Sequence, residues 1–422
     1  MSFSRQIVPG FLLAAASVAQ ADSVSPSSVI ETYGNIAQAG YTDALTTAMK
    51  LHDSVVQLTE APSEQALNNA REAWHAARVP YQQTEVYRFG NPIVDDWEGR
   101  VNAWPLDEGL IDYVDASYGN ESEANEFYTA NIVGSPSIAI NGQTIDASTI
   151  TPELLGEELH EAGGIESNVA IGYHAIEFLL WGQDLNGGEA GAGTRAYTDY
   201  DLENCTNGNC DRRADYLKAV SELLVTDLGY MAAAWETGGD ARMALEAMGE
   251  EGAVTAMLTG MGSLSYGELG GERMQLGLML HDPEEEHDCF SDNTSVSHYY
   301  DGLGIQNVYT GQYKDLNGEL VTGPSLMELV AAKDAALAKE LATDLQASVD
   351  ALQVLVVSQN EGQAYDQLIS EGNAEGNALV QVAIDALVDQ TSNINRAVTA
   401  LGVSGIEFEG SDSLDNPNSV FQ

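Results

Sequence analysis

His174 and Glu177 stand three residues apart in Gly172-Tyr-His-Ala-Ile-Glu-Phe-Leu-Leu-Trp-Gly-Gln-Asp184. On a helix of 3.6 residues per turn, positions i and i+3 share a face, so imidazole and carboxylate can converge on one point. Their neighbours Ala175, Ile176, Phe178, Leu179, Leu180 and Trp181 are apolar, which predicts a buried helix. An ionised group buried there without a partner is costly. A metal ion is the first candidate for compensation, because bundle metal sites use helix-borne Glu and His at this spacing and draw their other ligands from facing helices. The plainer alternative is a core histidine satisfied by its neighbouring carboxylate.

Three other stretches carry acids that could complete such a site. Glu85 follows Arg71, Trp74, Arg78 and Tyr81 at helical intervals, a face too charged for pure core. An Arg78–Glu85 structural pair accounts for it equally well. In Trp104-Pro-Leu-Asp-Glu-Gly-Leu-Ile-Asp-Tyr113, Pro105 and Asp107 read as a helix start, where Asp acts as a cap. Glu108 and Asp112, spaced i,i+4, face either a site or solvent, with solvent favoured. The third stretch is Arg273-Met274 followed by His281-Asp-Pro-Glu-Glu-Glu-His-Asp-Cys-Phe-Ser-Asp-Asn293. Its oxygen donors suit hard cations, and its imidazoles suit Fe or Zn. A merely acidic loop in an acidic protein is the alternative. No H-E-x-x-H, Gly-x-Ser-x-Gly or P-loop pattern occurs.

The elements that must position these residues read as helical. Apolar residues recur at helical spacing over 28–60 (Leu45, Ala48, Met49, His52, Val55, Val56) and over 63–88 (Trp74, Ala77, Tyr81). Further helices are expected over 212–236, 325–358 and 375–401, the last with Leu379, Val382, Ala386 and Ala397 facing the core. Only Ser137–Ile145, around Asn141-Gly142, reads as a hairpin. Long loops are expected over 89–130, 185–211 and 281–323, lengths that usually signal function. The break at 185–211 divides the chain into domains 22–204 and 205–404, with an acidic extended tail at 405–422. Long helical pairs in both halves leave room for an ancient duplication, although no residue-level repeat is visible.

The 422 residues carry 65 acidic against 16 basic side chains, a formal net charge of -49. Nucleic-acid binding is excluded, since no basic stripe exists to neutralise phosphates. The acids are spread over the whole chain, which favours a solvated surface suited to salty water; a field that concentrates cations is compatible with it. Arg5, the apolar run Ile7–Val18 and Ala19-Gln20-Ala21 fit a signal peptide over 1–21. The product is therefore expected to be exported and periplasmic, with no transmembrane segment in the mature chain. In an oxidising compartment Cys205 and Cys210 are the favoured disulfide, leaving Cys289 over; Cys210–Cys289 is the rival pairing.

These segments together resemble the imelysin family. The resemblance rests on Gly172-x-His174-x-x-Glu177 in its apolar frame, Trp74-His-Ala-Ala-Arg78-x-x-Tyr81-x-x-x-Glu85, Asn102–Tyr113 and Glu286–Thr294. It covers most of residues 30–400 and is nearest the iron-regulated protein A type. It implies an all-α fold of two helical bundles with a site between them, and a link to iron acquisition. His174 and Glu177 carry over as the family's ligands, and Glu85 matches its acidic position on the first bundle. Arg71, Arg78, Asp107, Glu108, Arg273, Glu286, His287 and Asp292 are the supporting candidates. The added cupredoxin domain of some iron-uptake relatives is absent, so copper redox chemistry is not expected. The leading expectation is a periplasmic protein that binds iron, with zinc as the alternative metal. Its partner would be an outer-membrane receptor or an inner-membrane transporter. The second expectation is a metallopeptidase in which Glu177 serves as general base, and the third is a receptor or adhesin without metal.

Overall fold

The computed structural model describes residues 24–421 except 121, 123 and 141. The expected signal segment, 1–21, lies outside them. The described residues form fifteen α-helices and two antiparallel hairpins, the all-α class expected. None of these helices is long and apolar enough to cross a membrane.

Local chemistry starts the first two helices. Ser25 Oγ accepts from Ser28 N ahead of α1 (Pro26–Glu60), and Ser63 Oγ accepts from Ala66 N ahead of α2 (Glu64–Gln82). Next come α3 (Pro92–Asn102), α4 (Glu108–Ile111), α5 (Gly172–Trp181), α6 (Cys210–Ala234) and α7 (Asp240–Ala247). α8 (Gly249–Ser263) runs through wide π-type turns (Leu264–Gln275) into α9 (Leu276–Leu280). The remainder are α10 (Thr294–Thr310), α11 (Leu326–Ala331), α12 (Ala335–Asn360), α13 (Tyr365–Ile369), α14 (Ala374–Leu401) and α15 (Asp412–Asp415).

One set of helices gathers around α1, which packs along α2 and α6; another places α12 between α10 and α14. α2 also meets α10. α6 lies beyond the expected 204/205 break yet packs on α1. Residues 405–411 are extended up to α15, which docks on the π-type turns, where Ser413 Oγ donates to Gly271 O at 2.9 Å.

Several local expectations change. α3 and α10 occupy segments expected to be loops. α10 carries no apolar periodicity because much of its buried surface is polar, including Thr294, Ser295, Ser297, His298 and Asp301. On α14, Leu379 and Val382 are exposed and Ala386 is half-buried; the core face is Val380, Ala383, Ile384 and Leu387. Met49 on α1 is exposed too. The expected hairpin forms as β1 (Ser137–Ile140) and β2 (Gln143–Asp146), with Ile138 opposite Ile145. A second, β3 (Gln312–Lys314) with β4 (Leu320–Thr322), was not expected. Cys205 and Cys210 form the disulfide, and Cys289 is free.

Candidate metal centre

Gly172 starts the helix that carries the pair. Its φ is +84°, and a Cβ there would lie 2.6 Å from the Val101 carbonyl oxygen at the end of α3. Only glycine meets both demands. Trp74 Nε1 donates to Tyr173 O at 3.0 Å near the start of α5. At its other end Arg71 donates to Leu180 O from Nε and Nη2, at 3.1 and 3.0 Å, where a cation also suits the helix dipole. All ten residues of α5 are buried, so His174 and Glu177 are held from every side.

His174 Nδ1 lies 3.2 Å from Glu177 Oε2, as the i,i+3 spacing predicts. The other oxygen, Oε1, accepts from the Ser291 backbone N–H at 3.0 Å and its hydroxyl at 2.7 Å. The turn just before Ser291 brings in two further groups. His287 stands edge-on to His174 with ring centroids 4.7 Å apart, and Asp288 Oδ1 is 3.7 Å from His174 Nδ1. One ligand atom from each of His174, His287 and Asp288 lies within 4.8 Å of the others.

Asp288 is the electrostatic anchor. Arg78 reaches it from α2, with Nη2 donating to Oδ1 at 2.8 Å and Nε to Oδ2 at 3.4 Å. Asn293 Nδ2 and the Ser297 hydroxyl also donate to Oδ2. Arg78 Nη1 in turn donates to Asn102 Oδ1 at 2.6 Å. Burial raises the Asp288 pKa, but Arg78, His174, Ser297 and Asn293 outweigh it and hold the carboxyl down at about 2. Burial, reinforced by Arg78, drives His174 down to about 3. Burial with Arg273 and His174 pushes His287 well below the usual imidazole range. Glu177 goes the other way, raised by burial and by the Asp288 charge.

The result is two neutral imidazoles and one ionised carboxylate, with His174 Nε2 and His287 Nε2 buried and lacking hydrogen-bond partners. Neutral imidazole is the ligating form. Two imidazoles, one carboxylate and no thiolate form a donor set that fits Fe(II) and also suits Zn. The residues present therefore fit a metal of the expected kind. His287 borders a surface cleft of about 360 Å³ whose lining also includes Trp104, Arg88, Arg273 and five glutamates, among them Glu98 and Glu268.

The other expected residues scatter. Glu85 sits on a 3-10 turn beyond the end of α2 and pairs with Arg273 at 2.8 Å, outside the converging group. Arg273 also binds Glu268 and Asp301 at 2.8 and 3.1 Å, and shares the cleft with His287. Arg71 serves the end of α5. Asp107 precedes α4 without capping it and accepts instead from Asn125 Nδ2 and the Ser167 hydroxyl. Glu108 and Asp112, for which solvent was favoured, are both buried; Asp112 binds Arg213 and Arg195. Burial lifts Glu108 to about 7. Glu286 is buried beside the turn, its carbonyl accepting from Trp104 Nε1. Asp292 holds a left-handed backbone at φ +56°. Asp288 itself, with Asn102, Ser291, Asn293 and Ser297, was missed. The signal lay inside the Glu286–Thr294 run, but the side chains that converge there are set by a turn, not by a helical period.

The sequence model of the Imelysin family (peptidase M75) matches residues 37–394. Iron-regulated protein A of Synechococcus elongatus is 32% identical over 71 residues, which cover 17% of this chain and 20% of that protein, so the match spans about a fifth of that relative. The crystal structure of a candidate iron-regulated protein A precursor from Parabacteroides distasonis superposes with a TM-score of 0.63 at 18% identity, covering 91% of this chain and 97% of that one. That likeness speaks for the fold, and the family match runs through every element that builds the centre: the chain belongs to the Imelysin family.

Proposed function

We propose that this protein is an exported, periplasmic metal-binding protein that captures iron for uptake or homeostasis. Its site lies where N-terminal residues (Arg78, His174, Glu177) meet C-terminal ones (His287, Asp288), between the two expected helical domains. The carrying observation is the convergence of His174, His287 and Asp288 within 4.8 Å, with an imidazole nitrogen of each histidine left unpartnered. Iron is favoured by the donor set and by the names of the relatives, both called iron-regulated protein A. Glu177 acts through its contact with His174, which fixes the ring, or as a fourth donor. Delivery would pass to an outer-membrane receptor or an inner-membrane transporter. Calorimetry of Fe(II) binding tests this: His174→Ala and Glu177→Ala should each weaken binding at least tenfold, and wild-type affinity in both variants would refute it.

A metallopeptidase is the second reading, favoured by the peptidase name of the family and by a Glu177 carboxyl raised beside the metal group. Against it, Glu177 is fully buried and its Oε1 is taken up by both Ser291 donors. Chelator-sensitive, His174-dependent cleavage of an unfolded polypeptide would establish it.

A further inference from the structure

We propose that the cleft admits metal as a hydrated, unchelated cation and turns away metal carried inside an anionic chelate. This rests on the metal reading above and names the form in which the metal reaches the site.

The cleft lining holds five glutamates against Arg88 and Arg273. Neither arginine is free to receive a carboxylate from outside. Arg88 Nε lies 3.0 Å from Asp95, and its Nη1 lies 3.6 and 3.7 Å from Glu268 and Glu98. Arg273 is surrounded by Glu85, Glu268 and Asp301 at 2.8 to 3.1 Å. The basic groups of the cleft are thus consumed in positioning its acids. His287, 1% exposed and with Nε2 unpartnered, is part of the lining.

A hydrated cation meets carboxylate oxygens that can replace its waters one by one. An anionic chelate meets net negative walls on a chain of formal charge -49, and no unpaired cation in the cleft compensates it. A concave, low-dielectric opening focuses that field and accelerates only the ion of opposite sign. Glu98 and Glu268, both in contact with Arg88, are the residues assigned to this selection.

The test uses the mature wild-type protein with two probes: anaerobic ferrous ammonium sulfate, and ferric citrate labelled separately in iron and in citrate. Equilibrium dialysis should show ferrous iron retained and no citrate retained from the chelate, whether or not its iron is stripped. Stopped-flow tryptophan fluorescence should show ferrous association slowing about tenfold or more between about 0.05 and 0.5 M NaCl. The pair Glu98→Gln with Glu268→Gln should slow association several-fold and leave dissociation unchanged. Iron and citrate retained one-to-one, or an association rate that rises with salt, would overturn the inference while leaving the metal site intact. Failure of wild type to retain ferrous iron would overturn the metal reading and this inference together. The wild-type measurements decide the matter even if the double variant does not fold.

Discussion

Arg78 and Asp288, 210 residues apart in sequence, form a wholly buried ion pair with Nη2 to Oδ1 at 2.8 Å. The pair joins α2 to the turn carrying His287, and it lets Asp288 stay ionised beside two neutral imidazoles. Removing one partner strands a buried charge, which costs about 3–5 kcal/mol, whereas replacing both with apolar groups can be near neutral. Arg78→Met and Asp288→Leu alone should each destabilise by that amount in urea unfolding. The double variant should lose less than the sum, and strict additivity would show that the pair is not coupled.

Gly172 supplies a second prediction. An added Cβ meets both a positive φ and the Val101 carbonyl. Gly172→Ala should cost about 2 kcal/mol or more and weaken metal binding by displacing His174. Unchanged stability would mean that α5 does not start against α3 as described.

His160 gives a pH dependence away from the centre. Its Nε2 bonds the Gly99 carbonyl at 3.0 Å, and Ala170 N donates to its Nδ1 at 3.4 Å. Burial pushes its pKa down to about 4, against the pull of that carbonyl. Between pH 6.5 and 4 the unfolded chain therefore binds the extra proton. The contribution is complete above pH 6.5, declines as pH falls toward 4, and is flat below. The stability difference between wild type and His160→Gln should shrink by about 2 kcal/mol across that window, after allowance for partial exposure. A difference that grows on acidification would reverse the assignment.

The charge excess makes the fold dependent on salt. With a formal charge of -49, self-repulsion is relieved by screening. The melting temperature should climb as NaCl rises from about 0.1 to 1 M. A flat or falling curve would show the surface acids to be locally compensated.

What the sequence made legible follows from which signals are periodic. The apolar frame of α5 and the long α1 and α6 could be read from residue order, and Cys205–Cys210, the pairing favoured over Cys210–Cys289, is the one that forms. Glu85 could not be placed, because the helical face drawn from Arg71 through Tyr81 was extended past Gln82, where α2 ends and a 3-10 turn hands Glu85 to Arg273. α10 was hidden because a helix that lines a polar interior has no apolar stripe to show. Asp288 escaped because its partner Arg78 comes from α2, 210 residues away, while Asn293 and Ser297 turn back onto it from the start of α10, a coincidence that helical spacing along the chain does not record. On α14 Ala397 is core as expected, but Leu379 and Val382 are not, since alanine-rich helices offer several weakly apolar faces and packing selects one.

His174, His287 and Asp288 are proposed to hold iron. Crystals of the protein loaded anaerobically with ferrous iron, with anomalous scattering measured on both sides of the iron edge, test it directly. A single strong iron peak bounded by those three side chains is expected in wild type, and none there in His174→Ala. Iron bound only elsewhere on the acidic surface, or a peak that survives His174→Ala undiminished, would contradict it.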